Sequence, residues 1–350
     1  SRVLAGPYCT RLLADLGARV IKVERPGEGD EMRRAHLQLE GEADGQSTYF
    51  IRLNAGKLSV GVDLAHPAGR QVALDLARRA DVVVENFVPG VMARLGCDYP
   101  AFAGVRADLV YCSISGYGQT GPWRDHPAFA HLINAVSGIM HLEQGADPAP
   151  RVGYLQTADV LAGTHAFGAI LAALWRRART GQGAYLDVSM LECLVAAEDV
   201  SFGSVLNDGT VLAGPRPGMV LRELGGRWLA VQHVGAPRLW ERLLKALDRP
   251  DLAADPRFAT PAARRAHWEE LRPIVARSLD RFASVEDALA VLRAARVPCS
   301  PVLSPAEVAG LPHLAARGAF PAVKHPPRGS VRVTATPFQA DGRPTEPAGP

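Results

Sequence analysis

The run Leu155-Gln-Thr-Ala-Asp159-Val-Leu-Ala-Gly163-Thr-His-Ala-Phe-Gly168-Ala-Ile-Leu sets one carboxylate at the start of an otherwise apolar, small-residue helix. Packing does not call for an acid there, and a carboxylate in that setting suits nucleophilic chemistry, in which a covalent intermediate divides one hard step into two easier ones. The structural alternative is an ordinary first-turn acid. Thr157 would cap the helix, and the acid would gain roughly 0.3–1 kcal/mol from the helix dipole. Gly163 lies four residues on and shares the helix face of Asp159. Glycine costs a helix about 1 kcal/mol relative to alanine, so its presence implies that something approaches that face closely. Both readings of Asp159 stand at this level.

Other chemistry-bearing residues are weaker. Gly116-x-Gly118-x-x-Gly121 spells a dinucleotide fingerprint after a strand, but Pro122-Trp123 follows where a helix of small apolar residues belongs, so it reads as a turn that shapes a rim. No P-loop and no His-Glu-x-x-His occurs. The histidines show no convincing ligand spacing; His126 and His131 flank Phe129, and His165 follows Asp159 by six residues. No metal site is expected. Arg25, Arg33, Arg34 and Arg94 each read as a surface charge, yet as a group they match phosphate oxygens. Asn86-Phe87 offers an amide and an aromatic face. Cys193, in the apolar run Met190–Val195, reads as buried and inert.

The elements that must position these groups alternate. Helix-like Thr10–Leu16 precedes strand-like Ala18–Val23, helix-like Pro67–Arg79 precedes Asp81–Val84, and Asp108–Ser115 and Ala184–Val188 read as further strands. That alternation predicts an α/β fold with a parallel sheet covered on both faces. The polar residues Glu24-Arg25, Glu85-Asn86-Phe87 and Ser115-Gly116-Tyr117 follow three of these strands. They form one candidate rim, because open α/β sheets bind ligands beyond the carboxyl ends of their strands.

From about Val205 the texture changes. Gly214-Pro-Arg-Pro-Gly218 reads as a linker, Arg227–Gln232 as a strand after the turn Gly225-Gly226, and Pro237–Leu247 and Trp268–Ser278 as amphipathic helices. Another helix starts at Ser284-x-x-Asp287. The divisions expected are a large domain over 1–205, a linker over 206–225, a smaller α+β domain over 226–320 and an extended return segment over 321–350.

A chain of 350 residues, 47% hydrophobic, supports two such cores. A net charge of +3 with no dense Lys/Arg block argues against a nucleic-acid surface. Five scattered cysteines without a Cys-x-x-Cys pair fit reduced thiols and a cytoplasmic location. No apolar run approaches the roughly 18 residues of a membrane span, and no membrane association is expected. The start at Ser1 falls in what looks like mid-element, so a preceding strand is expected to be missing, and the C-terminus reads as truncated.

Several blocks together resemble the family III CoA-transferases of the CaiB/BaiF type. They are Val3-Leu-Ala-Gly-Pro7, Leu12–Arg25, Asn54-x-Gly-Lys57 with Val62-Asp-Leu64, Asp81–Gly90, Ile114–Pro122, Ala135–Gly138, Thr180–Gly183 and Val297–Val302. Their order and spacing are more specific than any one of them. The resemblance implies a Rossmann-like large domain and an interlocked, ring-like homodimer. It implies acyl-CoA and a small carboxylic acid as substrates, with no tightly bound cofactor. The family's nucleophilic aspartate falls on Asp159. The CoA contact positions fall on Val3, Ala5, Arg25, Asn86, Phe87, Val91, Arg94 and Leu95, and Phe129 and Met190 would line the pantetheine and thioester end.

The resemblance has departures. Formyl-CoA transferases carry a glutamine where this chain has Leu4, and a glycine-rich loop where it has Gly218–Gly226. The racemases of the family carry a catalytic His-Asp pair where it has Phe129-Ala130. CoA transfer through Asp159 is the reading expected. An α-methylacyl-CoA racemase or epimerase and a catalytically silent CoA-binding relative are the alternatives. Arg216, Arg222 and His233 are candidate contacts for a substrate carboxylate.

Overall fold

The computed structural model describes residues 1–34, 47–145, 147–198, 201–210, 218–232, 237–325 and 329–345. The chain divides into two compact units, one of residues 1–213 with 312–350 and one of residues 214–311. The first contains, in chain order, α1 (Ala5–Asp15), β1 (Val20–Glu24), α2 (Thr48–Asn54), β2 (Lys57–Gly61), α3 (Pro67–Ala77), β3 (Val82–Glu85), α4 (Val91–Arg94), α5 (Tyr99–Ala103), β4 (Val110–Ser115), α6 (Ala130–Val136), α7 (Ile139–Gln144), α8 (Thr157–Thr180), β5 (Ala184–Ser189), α9 (Met190–Ala197) and α10 (Ser201–Val205).

The strands within residues 1–213 are parallel, as the alternation predicts, but they form two sheets. One is β3-β4-β5, with Glu85, Ser113 and Asp187 in one row at its carboxyl edge. The other is the pair β1-β2. The mixed string Lys-Leu-Ser-Val-Gly hides β2 from the sequence pattern. All six residues of β4 are buried, which is why it reads as a continuous strand with polar residues only at its end. One face of the three-stranded sheet packs Val110, Cys112, Ile114 and Val188 into a cluster with Ala158, Ala162, Ala166 and Ile170 of α8 and with Cys9 and Leu13 of α1. The other face carries Tyr111, which with Phe102, Cys97 and Met92 anchors a second cluster under α3, α4 and α5.

Helix α8 is long and apolar enough to cross a membrane by length and composition, with a mean hydropathy of 1.4 over its best window, although no uninterrupted apolar run of that length occurs in it. Its packing against α1, α9, β4 and β5 is that of a core helix in a globular unit. Gly181, in the left-handed region at φ 72°, ends it.

The second unit has its own core. Strands β6 (Met219–Leu224) and β7 (Arg227–Gln232) form a hairpin turned by Gly225-Gly226, and β8 (Cys299–Pro301) pairs antiparallel with β7. Helices α11 (Pro237–Leu247), α12 (Asp251–Ala254), α13 (Pro261–Ala266), α14 (Trp268–Ser278) and α15 (Val285–Ala294) bury Trp240, Leu243, Leu271, Val275 and Leu292 with Val220 and Leu229 of the hairpin. The stretch 206–225, expected as a linker, therefore holds β6, since a strand paired with β7 is part of this unit's core. The unit closes at Leu311, earlier than the expected 320.

Helix α16 (Pro305–Ala309) is the last element of this unit; beyond it, back in the first unit, α17 (Pro312–Ala316) leads to a return segment that carries a hairpin of β9 (Ala322–His325) and β10 (Gly329–Arg332). Its Val323 and Val331, with Val333, cluster with Ile51 of α2.

Candidate active site

Asp159 is the third residue of α8, in its first turn. Thr157 does not cap this helix: the cap position is Gln156, and the Thr157 hydroxyl bonds back to Leu155 O at 3.4 Å. The Asp159 Oδ1 accepts the backbone N–H of Ala5 at 3.3 Å. Ala5 is the first residue of α1, whose cap position holds Leu4, a side chain with no oxygen. The first amides of a helix lack intrahelical acceptors; here an acid from another helix takes one of them.

Gly163 explains how the two helices come so close. A Cβ there would stand 2.7 Å from Ala5 O and 3.0 Å from Tyr8 Cδ1. The close approach that this glycine implied is made by the backbone of α1. Ala158, Ala162 and Ala166 are fully buried beside it.

Burial raises the Asp159 carboxyl to about 6, with the Ala5 N–H and the His131 imidazole acting in the opposite sense and losing. The group is thus ionised at neutral pH but poorly solvated. Nearby, the Tyr49 hydroxyl donates to Gln156 Oε1 at 2.9 Å. Burial, and then the charge of Asp159, push this phenol up to about 12, so it keeps its proton.

Helix α1 is held by groups from distant parts of its unit. Arg11 and Asp15 form a buried pair at 2.6 Å. Asp15 also accepts the Thr336 hydroxyl at 2.5 Å, and Arg11 reaches Thr334 O at 3.4 Å. Lys57 Nζ donates to Pro7 O at 2.8 Å and to Asn54 Oδ1 at 3.0 Å. Burial drives the pKa of this amine well below its ordinary value, with the charges of Lys22 and Arg11 adding to the effect. Before the helix, Val3 sits at φ 62°, the left-handed region. A β-branched residue is strained there by roughly 1–3 kcal/mol. The neighbouring residue fixes it, because Asn86 accepts from Arg2 N and donates to Arg2 O, both at 2.8 Å.

The positions that the resemblance assigned to CoA fall into groups. Val3, Ala5, Asn86 and Asp159 gather at the start of α1. The Asn86 amide makes one hydrogen bond in each direction with Arg2, which leaves it one further N–H and one further lone pair. Phe87 donates its N–H to Glu85 Oε2 at 2.8 Å, and its ring packs on the cluster under α3 and α4. Val91 opens α4 after Gly90, at φ 83°. Arg94 and Leu95 border a surface groove that also takes in Leu64, Arg70, Gln71 and Leu74. Phe129 is 70% exposed at the cap of α6, whereas Met190 is buried in the α8 cluster.

Arg25 is exposed and pairs with Glu28 at 3.0 Å, and Arg33 pairs with Glu24 at 2.6 Å with its guanidinium 4.0 Å above the Phe50 ring. Burial would raise Glu24, but hydrogen bonds from Arg33, Ser59 and the Asp30 N–H prevail and hold it near 2. These two arginines are thus matched by acids of their own. Arg222 pairs with Asp280 at 2.7 Å in the second unit. Arg216 and His233 lie outside the described residues. The glycine loop opens no helix: Gly118 and Gly121 turn at φ 86° and 85°, and the Gln119 N–H is tied to Asp187 at 2.9 Å. Among the described residues no cluster of metal-ligating side chains occurs.

The sequence patterning missed Arg70, Gln71, Tyr49 and Thr336. Nothing local separates Arg70 from a solvated arginine, and Thr336 meets Asp15 across 321 residues.

Fold and site together define an α/β protein that presents a poorly solvated carboxylate at the contact of two helices. The family model described as CoA-transferase family III matches residues 1–350. The acetyl-CoA:oxalate CoA-transferase of Acetobacter aceti is 36% identical over 332 residues, covering 91% of this chain and 82% of that protein. The succinyl-CoA:mesaconate CoA-transferase of Haloarcula hispanica is 37% identical over 332 residues, covering 90% and 81%. The crystal structure of a CaiB/BaiF family protein from Brucella suis superposes with a TM-score of 0.85 at 30% identity, covering 100% of this chain and 92% of that one. The chain belongs to CoA-transferase family III, and its general activity is that of this family.

Proposed function

We propose that this protein moves CoA from an acyl-CoA thioester to a carboxylic acid through covalent intermediates on Asp159. A carboxylate oxygen of Asp159 attacks the thioester carbonyl, the C–S bond breaks, and CoA leaves as thiolate from a mixed aspartyl anhydride. The thiolate attacks the aspartyl carbonyl, releasing the donor acid and forming an aspartyl-CoA thioester. The acceptor carboxylate then attacks this thioester and expels the thiolate again. Attack of the thiolate on the acceptor carbonyl yields the new acyl-CoA and the free Asp159 carboxylate.

The observation that carries this reading is the half-buried Asp159, raised to about 6 and held by a single amide. Weak solvation makes the carboxylate a better nucleophile, and exclusion of water protects the anhydride and thioester from hydrolysis. The Ala5 N–H at the start of α1 fixes the carboxylate's orientation.

The donors and acceptors in the relatives' names are acetyl or succinyl esters and the dicarboxylates oxalate and mesaconate. A short acyl-CoA donor and a dicarboxylate acceptor are the substrates we assign. The expected homodimer is supported by the apolar outer face of α8, where Leu171 and Trp175 are 40% and 69% exposed. A second copy is the occupant we assign to that face.

Incubation with acyl-CoA followed by hydroxylamine and mass spectrometry tests the mechanism. Hydroxamate on the peptide bearing Asp159 is expected; turnover without any adduct there sinks it. The racemase reading finds one supporting observation, the electrostatic reach of His131 to Asp159. It requires solvent deuterium to enter the α-carbon of a 2-methylacyl-CoA with no acceptor acid present.

A further inference from the structure

We propose that Gln156 is a positioning residue for the nucleophile: by taking up the Tyr49 hydroxyl it keeps this phenol from donating to Asp159. The inference deepens the CoA-transfer reading above and rests on it. The three side chains meet at the first turn of α8. Gln156 holds the cap position, Asp159 is three residues on, and the Tyr49 hydroxyl, from the first turn of α2, donates to Gln156 Oε1 at 2.9 Å.

The stability of α8 explains neither side of this meeting. Cap positions favour Ser, Thr, Asp or Asn, whose short side chains reach the free amides of the first turn. Gln156 makes no such bond, so its side chain is not spent on starting the helix. The Tyr49 bond also runs against acceptor strength. A carboxylate holds a hydroxyl more tightly than a neutral amide does, charge-assisted bonds being roughly twice as strong. The phenol lies near enough to Asp159 for the acid's charge to act on it, yet its hydroxyl goes to the amide.

Both partners are anchored. Ser47 caps α2 by accepting the Phe50 N–H at 3.0 Å, and its own hydroxyl donates to Met32 O at 2.6 Å, so Tyr49 projects from a fixed turn. The Arg52 guanidinium stands 5.6 Å from the centre of its ring. Asp159 Oδ1 has the Ala5 N–H at 3.3 Å, and its Oδ2 accepts no hydrogen bond among the described residues. That second oxygen is the one left for attack on a thioester. A phenol bonded to it would stabilise the carboxylate and blunt the nucleophile. The titratable groups that act on this carboxylate from neighbouring helices are His131 of α6 and Tyr49 of α2, while Arg52 and Asp30 act on the phenol itself, in opposite senses.

The pH profile of single-turnover acylation of the full chain tests this, with hydroxylamine trapping at the Asp159 peptide as the readout. The wild type is expected to reach half its plateau near pH 6. Gln156→Leu removes the acceptor at similar bulk and frees the phenol. Its midpoint should fall by about one pH unit and its plateau rate by roughly tenfold, the scale of one hydrogen bond to a charged group. Adding Tyr49→Phe removes the hydroxyl and should return both toward the wild-type values, a recovery that mere loosening of the helix start does not produce. His131 stays in place throughout, so its charge cancels from the comparison. Gln156→Met repeats the measurement if the leucine variant melts early. A midpoint that Gln156 substitutions leave at the wild-type value, or a shift that persists in the double variant, overturns the proposal. Absence of any Asp159 adduct in the wild type would instead overturn the CoA-transfer reading.

Discussion

Ala5 meets Gly163 and Asp159 with opposite ends of its peptide groups. Its carbonyl oxygen lies where a Cβ on Gly163 would be only 2.7 Å away, and its N–H points to Asp159 Oδ1 at 3.3 Å, one turn earlier on α8. Backbone contact at the glycine and the hydrogen bond at the acid are one geometric fact. The missing side chain at 163 sets the distance at 159.

Gly163→Ala therefore tests that link. Alanine gains about 1 kcal/mol of helix propensity, but the new methyl meets rigid backbone, and overpacking of that kind costs about 1–3 kcal/mol. A net loss of stability is expected by thermal unfolding. Because α1 must move, kcat should fall more than KM rises.

Asp159→Asn separates structure from chemistry. The amide retains an oxygen to accept the Ala5 N–H, so the helix contact survives, but an amide does not form the anhydride. Turnover should drop by at least about 10³-fold. A protein that folds normally, retains CoA binding and gives no hydroxylamine-trapped peptide is the expected result.

The same carboxyl sets a pH dependence whose sign is opposite to that of Glu24. Its folded value of about 6 exceeds the ordinary 3.8, so the folded state binds more protons between these limits. The protonated acid's contribution to stability is present below pH 4 and is lost as pH rises through 6. Glu24, held near 2, behaves oppositely, its contribution being present above 4.5 and lost as pH falls through 2. Relative to wild type, Asp159→Asn should gain about 1–2 kcal/mol above pH 6, allowing for partial solvent screening, and nothing below pH 4. Single-turnover acylation should rise tenfold per pH unit up to about 6 and then level off. Denaturant melts and rapid-quench trapping across pH 4–8 measure the two effects.

Trp175→Glu tests the proposed docking of a second copy on the outer face of α8. If the proposed dimer forms through this 69% exposed indole, a charge in its place should shift the protein from dimer to monomer by sedimentation. A wild-type monomer would remove the dimer from the reading altogether.

How much of this was legible in the sequence depended on whether the cause was local. Asp159 stood out because an acid opens an apolar run, and Gly163 because it breaks helix propensity on the same face. The strands of the central sheet were visible as Val-rich and buried runs. Helix α1 begins five residues before the helix-like run at Thr10, since Gly6 and Pro7 look like a turn; Pro7 is tolerated because it lies in the first helical turn. Strand β2 was hidden by its mixed composition. Arg11 and Asp15 are spaced like a surface i,i+4 pair, and only the hydroxyl of Thr336, far along the chain, shows that they are buried.

That buried pair yields the last prediction. Arg11→Ala leaves the Asp15 carboxylate inside the protein with the Thr336 hydroxyl as its remaining partner, and breaking a buried pair from one side costs about 3–5 kcal/mol. Thr336→Val removes one hydrogen bond and should cost about 1–2 kcal/mol. Replacing both charges, as Arg11→Met with Asp15→Leu, avoids the stranded carboxylate and should be less damaging than Arg11→Ala alone, despite altering two residues. Unfolding free energies of the four proteins decide this. If the double variant is worse than Arg11→Ala by the full cost of a second lesion, the pair does not act as a unit, and the tether from the return segment to α1 is not what holds that helix against Asp159.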